Sequence, residues 1–499
     1  MTAPTAAAGD VLLRDHLENP RGLGALERSP YVGAAGGAAC GDLISISVDV
    51  AEGHVVDVGF RASGCAAARA AGSAAVELAR GTPLLEAALL TPAAVDAELG
   101  RLGPSARHAA ELAADALHRA LGMAARDGAA RLPRAAERTL VAMSGGVDSA
   151  AAAQLALDAD EDVVAVTLEL WSDAATDGER SCCSPQAVTG ARRLAHRMGI
   201  PHFTLDLREP FRHEVVDKFL AGYAGGGTPN PCVGCNGAVR FDSMLTLADR
   251  LGAARLVTGH YARTGEDAAG PLIRTAADPA KDQSYVLARL GSHEVERLRF
   301  PLGELEKPRV RELARAAGLE VADKPESQDL CFLAGGDTRS FMCRHGGPAL
   351  RTSSSGGDIV DREGSVLGRH GGHHTFTVGQ RRGLGVASPE PLYVLAKDAR
   401  RNRVVVGPRA ALLSDRVRLA PVDLHRPADR VQSVRMRYHG PAVPCRPDAA
   451  LAAGPHESFD LRLDRQVTAA APGQTGCLLS GDLVVGWGQI ADTSPDARV

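Results

Sequence analysis

Lysine is nearly missing from this 499-residue chain: of 56 basic residues only Lys218, Lys281, Lys307, Lys324 and Lys397 are lysine, and the rest are arginine. Aromatic residues make up only 4% of it. No apolar run reaches the roughly 18 residues of a membrane span, so contact with a bilayer is not expected. Met1–Gly9 lacks the basic and apolar segments of an export signal. A cytoplasmic location follows, and in that reducing setting ten cysteines read as metal ligands or reactive thiols, not as a disulfide framework. A strong excess of positive charge is also missing: the net charge is -4 and the pI about 6.5. This excludes a uniformly basic nucleic-acid coat but leaves room for a local RNA-binding patch. The charge is uneven. Residues 1–130 hold 10 arginines and 15 carboxylates, a balance of -5, which leaves +1 for the rest. The length exceeds what one core supports, so several domains are expected.

What is present is organised around Thr139–Ala152. Leu140–Met143 reads as a short buried parallel strand, Ser144-Gly145-Gly146 as a turn, and Asp148-Ser149 as the opening of an alanine-rich helix. Such a turn aims backbone N–H groups, at the positive end of a helix dipole, towards a phosphate. The lysine of a Gly-Lys-Ser/Thr phosphate loop is not there. The run Ser-Gly-Gly-Val-Asp-Ser instead resembles the PP-loop pyrophosphatases, which cleave ATP between the α and β phosphates and adenylate a carbonyl oxygen. That resemblance implies ATP contacts from Ala142, Met143, Ser144, Gly145, Gly146, Val147, Asp148 and Ser149, with Mg²⁺ near Asp148. Further strands are expected at Val163–Leu168, His202–Leu207 and Arg255–Thr258. Helices over 185–198, 210–221 and 236–251 alternate with them, which predicts an α/β, doubly wound parallel sheet. Leu168 and Gly259, at the carboxyl ends of two of those strands, are expected to line the adenine pocket.

Residues 1–130 read as a separate α+β domain. Leu43–Val50 and His54–Phe60 alternate as strands around the turn Ala51-Glu52-Gly53, and helices follow near 66–80 and 105–121. Asn19-Pro20-Arg21, Cys40-Gly41-Asp42 and Gly64-Cys65 resemble the IscU/NifU-type iron–sulfur scaffolds. The resemblance implies a metal site at Cys40, Asp42, Cys65 and His108, holding an iron–sulfur cluster, Zn²⁺ or iron. Ala109 stands where that family has a third cysteine, so a docking module without a cluster is the competing reading. Gly122–Glu137, rich in Ala, Arg and Gly, reads as a tether, with the linker proper at 131–137.

Downstream, Thr-Pro-Asn-Pro-Cys-Val-Gly-Cys-Asn (228–236), Gly-His-Tyr (259–261), Lys-Asp-Gln-Ser-Tyr (281–285), Lys-Pro-Glu-Ser-Gln-Asp-Leu-Cys-Phe (324–332) and Gly-Gln-Arg-Arg-Gly-Leu-Gly (379–385) follow the phosphate loop in order. Cys235 is expected at a helix start, where the dipole favours the thiolate. Together these motifs resemble the tRNA-specific 2-thiouridylases, the MnmA family, over residues 138 to 492. The resemblance implies Cys235 as the nucleophile-side cysteine and Cys331 as the carrier of a persulfide. It places Asn230, Pro231 and Cys232 at the target uridine, and Lys281, Asp282, Gln283, Arg437 and Tyr438 against tRNA. It also implies a sulfur donor such as a cysteine desulfurase or a relay protein. Cys232, where the family often has aspartate, opens an alternative in which Cys232, Cys235 and Cys331 hold an iron–sulfur cluster. The persulfide and disulfide cycle is preferred because it needs only the two motif cysteines. Another PP-loop adenylating ligase is the third reading.

The domain plan is therefore 1–130 scaffold-like, 138–345 catalytic, 346–412 a central linker domain and 413–499 a C-terminal β-barrel. Short strands at 417–419, 431–438, 458–463, 477–479 and 483–490 carry the last of these. Arg435, Arg437 and Tyr438 alternate along one of them as a cation and aromatic face for RNA. His370, His373 and His374 read as phosphate or solvent contacts before metal ligands, Cys182 and Cys183 as structural or incidental, and Cys343, Cys445 and Cys477, which lie in no motif, as core or surface residues.

Overall fold

The computed structural model describes residues 5–37, 41–129, 131–173, 185–325, 330–333, 335–347, 350, 356–468 and 470–492. Cys40, Cys182, Cys183 and Ser327-Gln328-Asp329 lie outside them. Contacts divide the chain into two compact units, one of residues 1–208, 242–259 and 308–332, the other of residues 209–241, 260–307 and 333–499.

The first unit begins with an antiparallel sheet of Val32–Gly36, Leu43–Ala51 and His54–Ser63. Ile44, Ile46, Val48 and Val50 point inward along the middle strand, as strict alternation requires. The helices Ala66–Ala79 and Arg107–Asp127 cover that face, and their alanines are almost all buried. Then come four parallel strands in the spatial order Ala253–Thr258, Ala135–Ala142, Asp162–Glu169, His202–Asp206. The chain builds outward from Ala135–Ala142 in one direction and returns to its other side with Ala253–Thr258. The order reverses between those two strands, so a crevice opens at their carboxyl ends. The expected doubly wound sheet is present.

The expected tether is not. The Arg107–Asp127 helix continues to a left-handed cap at Gly128 (φ 89°), and Ala135 already begins a strand. Ala-rich sequence reads as linker by composition but has the highest intrinsic helix propensity. Here the helix has a strand to lie against. It packs on the edge strand His202–Asp206, where Gly122 allows contact so close that a Cβ would sit 2.0 Å from the Thr204 carbonyl oxygen. The edge is covered and paired: His202 N–H donates to Ala88 O (3.1 Å) and Arg126 Nη1 to Asp206 O (3.1 Å). Arg119 meets the buried Glu169 at 2.9 Å and Arg192 meets Asp115 at 2.5 Å across the same junction.

In the second unit, Val366–His370, Gly357–Val360, Arg403–Gly407 and Tyr393–Asp398 form a four-stranded sheet over a core of Ile359, Val394, Val404 and Val406. Beyond it the strands Leu413–Leu424, Phe459–Thr468, Val443–Pro447, Ser433–Arg435, Thr475–Ser480 and Leu483–Ile490 pair in that order. The last pairs back onto the first, which closes a six-stranded barrel. The strand expected over 431–438 is only Ser433–Arg435. The chain then turns through His439 (φ 56°) ahead of Gly440-Pro441, so Arg437 and Tyr438 sit on an exposed turn and not on a strand.

Candidate functional site

The crevice at the strand ends is lined from three sides. Ala142, Leu168 and Gly259 are each partly exposed at or just beyond the carboxyl ends of neighbouring strands. Gly259 touches the start of the Val147–Asp158 helix, where a Cβ would lie 2.7 Å from the Asp148 carbonyl carbon and 2.8 Å from Ser149 N. Only glycine leaves that approach open. Gly145 takes φ 70°, and Gly146 is the helix N-cap with no side chain to occupy the amides. Ser149 Oγ is used inward: it accepts from Ser144 N (3.1 Å) and donates to Gly146 O (3.1 Å), so it shapes the loop. Met143 and Val147 are buried anchors, whereas Ser144 and Asp148 are accessible. The loop is a neutral cradle of amides at a helix N-terminus, suited to phosphate oxygens.

The cradle is braced from behind. Thr167 Oγ1 donates to Met143 O (2.7 Å) and lies 2.8 Å from His202 Nε2. The single hydroxyl proton is spent on Met143, so His202 Nε2 carries the proton in the second contact and its Nδ1 is a bare, buried lone pair. His118 is held alike, with Nε2–H donating to Leu90 O (2.8 Å). Burial, reinforced by the Arg192 charge, keeps both imidazoles far below the usual histidine range.

No lysine lies near this loop along the chain, yet Lys324 Nζ donates to Gly145 O at 3.0 Å. The two residues are far apart in the chain, and the only local signal was that one of five lysines precedes the Cys331 motif. Cys331 opens a one-turn 3-10 helix, Cys331–Leu333.

In the second unit the turn before Pro231 is set by Asn230, whose side chain accepts from Cys232 N (3.1 Å) and caps the Pro231–Cys235 helix. The cap corrects the expected position of Cys235. It is the fifth residue of the helix, buried and leading into the wider turn Asn236–Arg240, so it lies past the first-turn amides that would favour a thiolate. Cys232 is no ready thiolate: burial, then the neighbouring Cys235, pushes its pKa up to about 11. Asp282 is fully engaged, accepting from Ala276 N, Ser284 N, Ser284 Oγ and Arg435 Nη1 (2.5 Å). Gln283 Oε1 accepts from Tyr261 N (2.9 Å), and its side chain also bonds Tyr438. Tyr438, 41% exposed, carries His439 against its ring at 3.9 Å between centroids. Beside it a cleft of about 410 Å³ is lined by Thr275, Ala276, Pro279, Asp282, Arg435 and 439–442. Asn230, Cys232, Gln283 and Tyr438 thus share one surface of the barrel unit, with Lys281 partly exposed and Arg437 exposed beside them.

Among the described residues, two sets of donors could hold a metal ion: Asp42, Cys65 and His108, and His16, Glu77 and Glu98. The first was expected. Asp42 Oδ2 accepts from His108 Nε2 (2.8 Å) and Cys65 Sγ (3.0 Å), and Oδ1 accepts from Cys65 N (2.8 Å). Hydrogen bonds from Cys65, then from His108, bring the Asp42 carboxyl down to about 2. Burial, then the same carboxylate, raises the Cys65 thiol. Mixed S, N and O donors at this spacing suit one zinc or iron ion in place of the shared protons. Ala109 is fully buried, so no fourth donor comes from its position. The second set was not anticipated, because its residues are 61 and 21 positions apart. His370 and His373 are used in hydrogen bonds to Gly372 N and Asn402 Oδ1. Cys445 and Cys477 are core thiols that burial raises to about 12.

Four family profiles match the chain: NifU-like N terminal domain over 9–127, tRNA methyl transferase HUP domain over 137–335, tRNA methyl transferase PRC-barrel domain over 349–408, and Aminomethyltransferase beta-barrel domain over 422–490. A bifunctional protein NifU/MnmA of Rubrobacter xylanophilus is 44% identical over 490 residues, 96% of this chain and 97% of the relative. A tRNA-specific 2-thiouridylase MnmA of Magnetococcus marinus is 42% identical and spans 71% of this chain and 99% of its own length. Another, of Xanthobacter autotrophicus, is 45% identical over 70% of this chain and 90% of its own.

Proposed function

The chain belongs to the bifunctional NifU/MnmA family, and on that premise we propose how its residues divide the work of tRNA 2-thiolation. It is a tRNA-uridine 2-sulfurtransferase that uses ATP through its PP-loop domain. The carrying observation is the neutral phosphate cradle at the sheet's reversal point, with Gly259 keeping its mouth clear.

The C2 oxygen of a uridine is a poor leaving group. In the proposed first step that oxygen attacks the α-phosphorus, the α–β bridging bond breaks, and pyrophosphate departs. The Ser144–Ser149 loop holds the β and γ phosphates, and Asp148 would hold a Mg²⁺ that offsets their charge. The terminal sulfur of a persulfide on Cys331 then attacks C2 and expels AMP. Cys235 attacks Sγ of Cys331, a Cys235–Cys331 disulfide forms, and C2 keeps the outer sulfur as its thione; an external thiol reductant resets the pair.

The target is the wobble uridine, turned out of its stack to reach these groups. Asn230, Pro231 and Cys232 face the base. Lys281, Gln283, Arg437 and Tyr438 contact the anticodon arm, with Asp282 acting through Arg435. Residues 1–130 serve as supply domain, 138–345 as catalytic domain, 346–412 as link and 413–499 as RNA-binding barrel. Asp42, Cys65 and His108, with Cys40, would hold an iron–sulfur cluster, zinc or iron; bound there, such a metal would keep the Cys65 sulfur as thiolate. The sulfur donor is a cysteine desulfurase or relay protein, and the location is the cytoplasm. Among the described residues no helix is long and apolar enough to cross a membrane.

Replacing Cys331 tests the scheme. Cys331→Ser is expected to abolish 2-thiouridine while tRNA-dependent release of pyrophosphate continues. Sulfur transfer retained in that variant would remove the role given to Cys331.

A further inference from the structure

The phosphate cradle has a charge deficit. Its amides and hydroxyls are neutral, Ser149 Oγ is turned inward, and the one ionised side chain of the loop, Asp148, is negative. Pyrophosphate carries three to four negative charges, and a departing group of that kind is stabilised by cations placed before reaction. Several arginines of the same unit have carboxylate partners: Arg192 with Asp115, Arg138 with Asp162 and Arg255 with Glu161. Lys324 places a cation at the loop itself, 3.0 Å from the carbonyl of its central residue.

Its approach is set by its neighbours. Arg311, from the helix Lys307–Ala316, donates through Nη1 to Ala322 O (2.6 Å) and through Nη2 to Lys324 O (3.3 Å), and Lys324 N donates to Val321 O (3.1 Å). The backbone that carries the lysine is thus clamped while its side chain reaches the loop. An ammonium has three donors, and a carbonyl takes one of them.

The geometry points to Lys324 as a further catalytic residue, its ammonium contacting the β-phosphate of ATP and stabilising pyrophosphate as it leaves. The inference rests on the reading of this loop as the site of adenylation. Lys324 neither gains nor loses a proton in that step: the uridine oxygen forms its bond to the α-phosphorus, and the electron pair of the broken bond departs on pyrophosphate. The lysine of other phosphate loops comes from within the loop; here it would arrive from a segment about 180 residues later.

The test uses the full chain with Lys324→Met and Lys324→Arg, calorimetric titration with pyrophosphate and with AMP, and single-turnover release of pyrophosphate with tRNA. In Lys324→Met, pyrophosphate affinity should fall at least tenfold while AMP affinity holds. Pyrophosphate release should slow by about a hundredfold or more. Lys324→Arg should recover most of both. Equal loss of AMP and pyrophosphate binding in Lys324→Met would mean a merely structural contact, and unchanged pyrophosphate binding would overturn the assignment. If the wild-type chain binds pyrophosphate in a lysine-dependent way but releases none with tRNA, the adenylation reading fails and the lysine's phosphate contact stands.

Discussion

Arg119→Met should loosen the junction between the scaffold-like domain and the parallel sheet. Glu169 is 1% exposed, and Arg119 Nη1 is its close cation at 2.9 Å; Arg208 stands farther off at 3.8 Å. Coulomb's law at an effective dielectric of 20 gives about 6 kcal/mol for the near contact, before the cost of desolvating the guanidinium is subtracted. Breaking a buried pair from one side typically costs about 3–5 kcal/mol, and the remaining Arg208 argues for the lower figure. Asp115 keeps Arg192 at 2.5 Å, so the loss should centre on Glu169. A local cost of about 3 kcal/mol raises the population of the opened junction by about a hundredfold. Hydrogen exchange of the 107–127 and 202–206 peptides should accelerate by that factor in the regime where opening is at equilibrium. Adding Glu169→Gln should recover about 2 kcal/mol by removing the stranded charge. Exchange within threefold of wild type in Arg119→Met would refute the claim that this pair holds the domains together.

Acid should act on the same junction. His118 and His202 are kept neutral by burial, so the unfolded chain, with imidazoles near 6.5, binds protons first. Stability is therefore full above about pH 6.5 and falls below it by up to about 1.4 kcal/mol per pH unit for each histidine. Urea midpoints between pH 7.5 and 5 check this, and a flat profile in that window would count against it. Gly259→Ala places a Cβ 2.7 Å from the Asp148 carbonyl carbon and should slow adenylation by about a hundredfold with little change in tRNA affinity; single-turnover release of pyrophosphate measures it. Asp42→Ala or Cys65→Ser should each weaken zinc binding to residues 1–130 of the intact chain by at least about tenfold, read by chelator competition. Cys65→Ser should also slow thiolation with a limiting persulfide-charged cysteine desulfurase but not with that donor in excess.

The phosphate loop, the alternating strands and the barrel were legible because each is a local pattern: a glycine turn, a run of β-branched residues, a period of two. Asp42, Cys65 and His108 were grouped by motif resemblance, and hydrogen bonds on Asp42 bring the three side chains together. What escaped was decided by distant partners. Gly122 looked like a linker glycine until Thr204 met it. Arg437 and Tyr438 looked like strand residues until the turn at His439 ended pairing after Arg435. Lys324 found Gly145, and His16 found Glu77 and Glu98, across separations that no window of sequence covers. Cys235 was misplaced for a simpler reason: Asn230-Pro231 is a cap followed by a first-turn proline, so the helix starts four residues before it.

The central claim is that one chain couples cleavage of ATP to AMP with placement of sulfur on a tRNA uridine. The most direct measurement incubates the full-length protein with ATP, tRNA and a cysteine desulfurase charged with cysteine, and counts AMP and 2-thiouridine in the same reaction. The account predicts one AMP for each 2-thiouridine, with both dependent on tRNA and the nucleoside lost in Cys331→Ser. ADP as the nucleotide product, or 2-thiouridine formed without ATP, would contradict it.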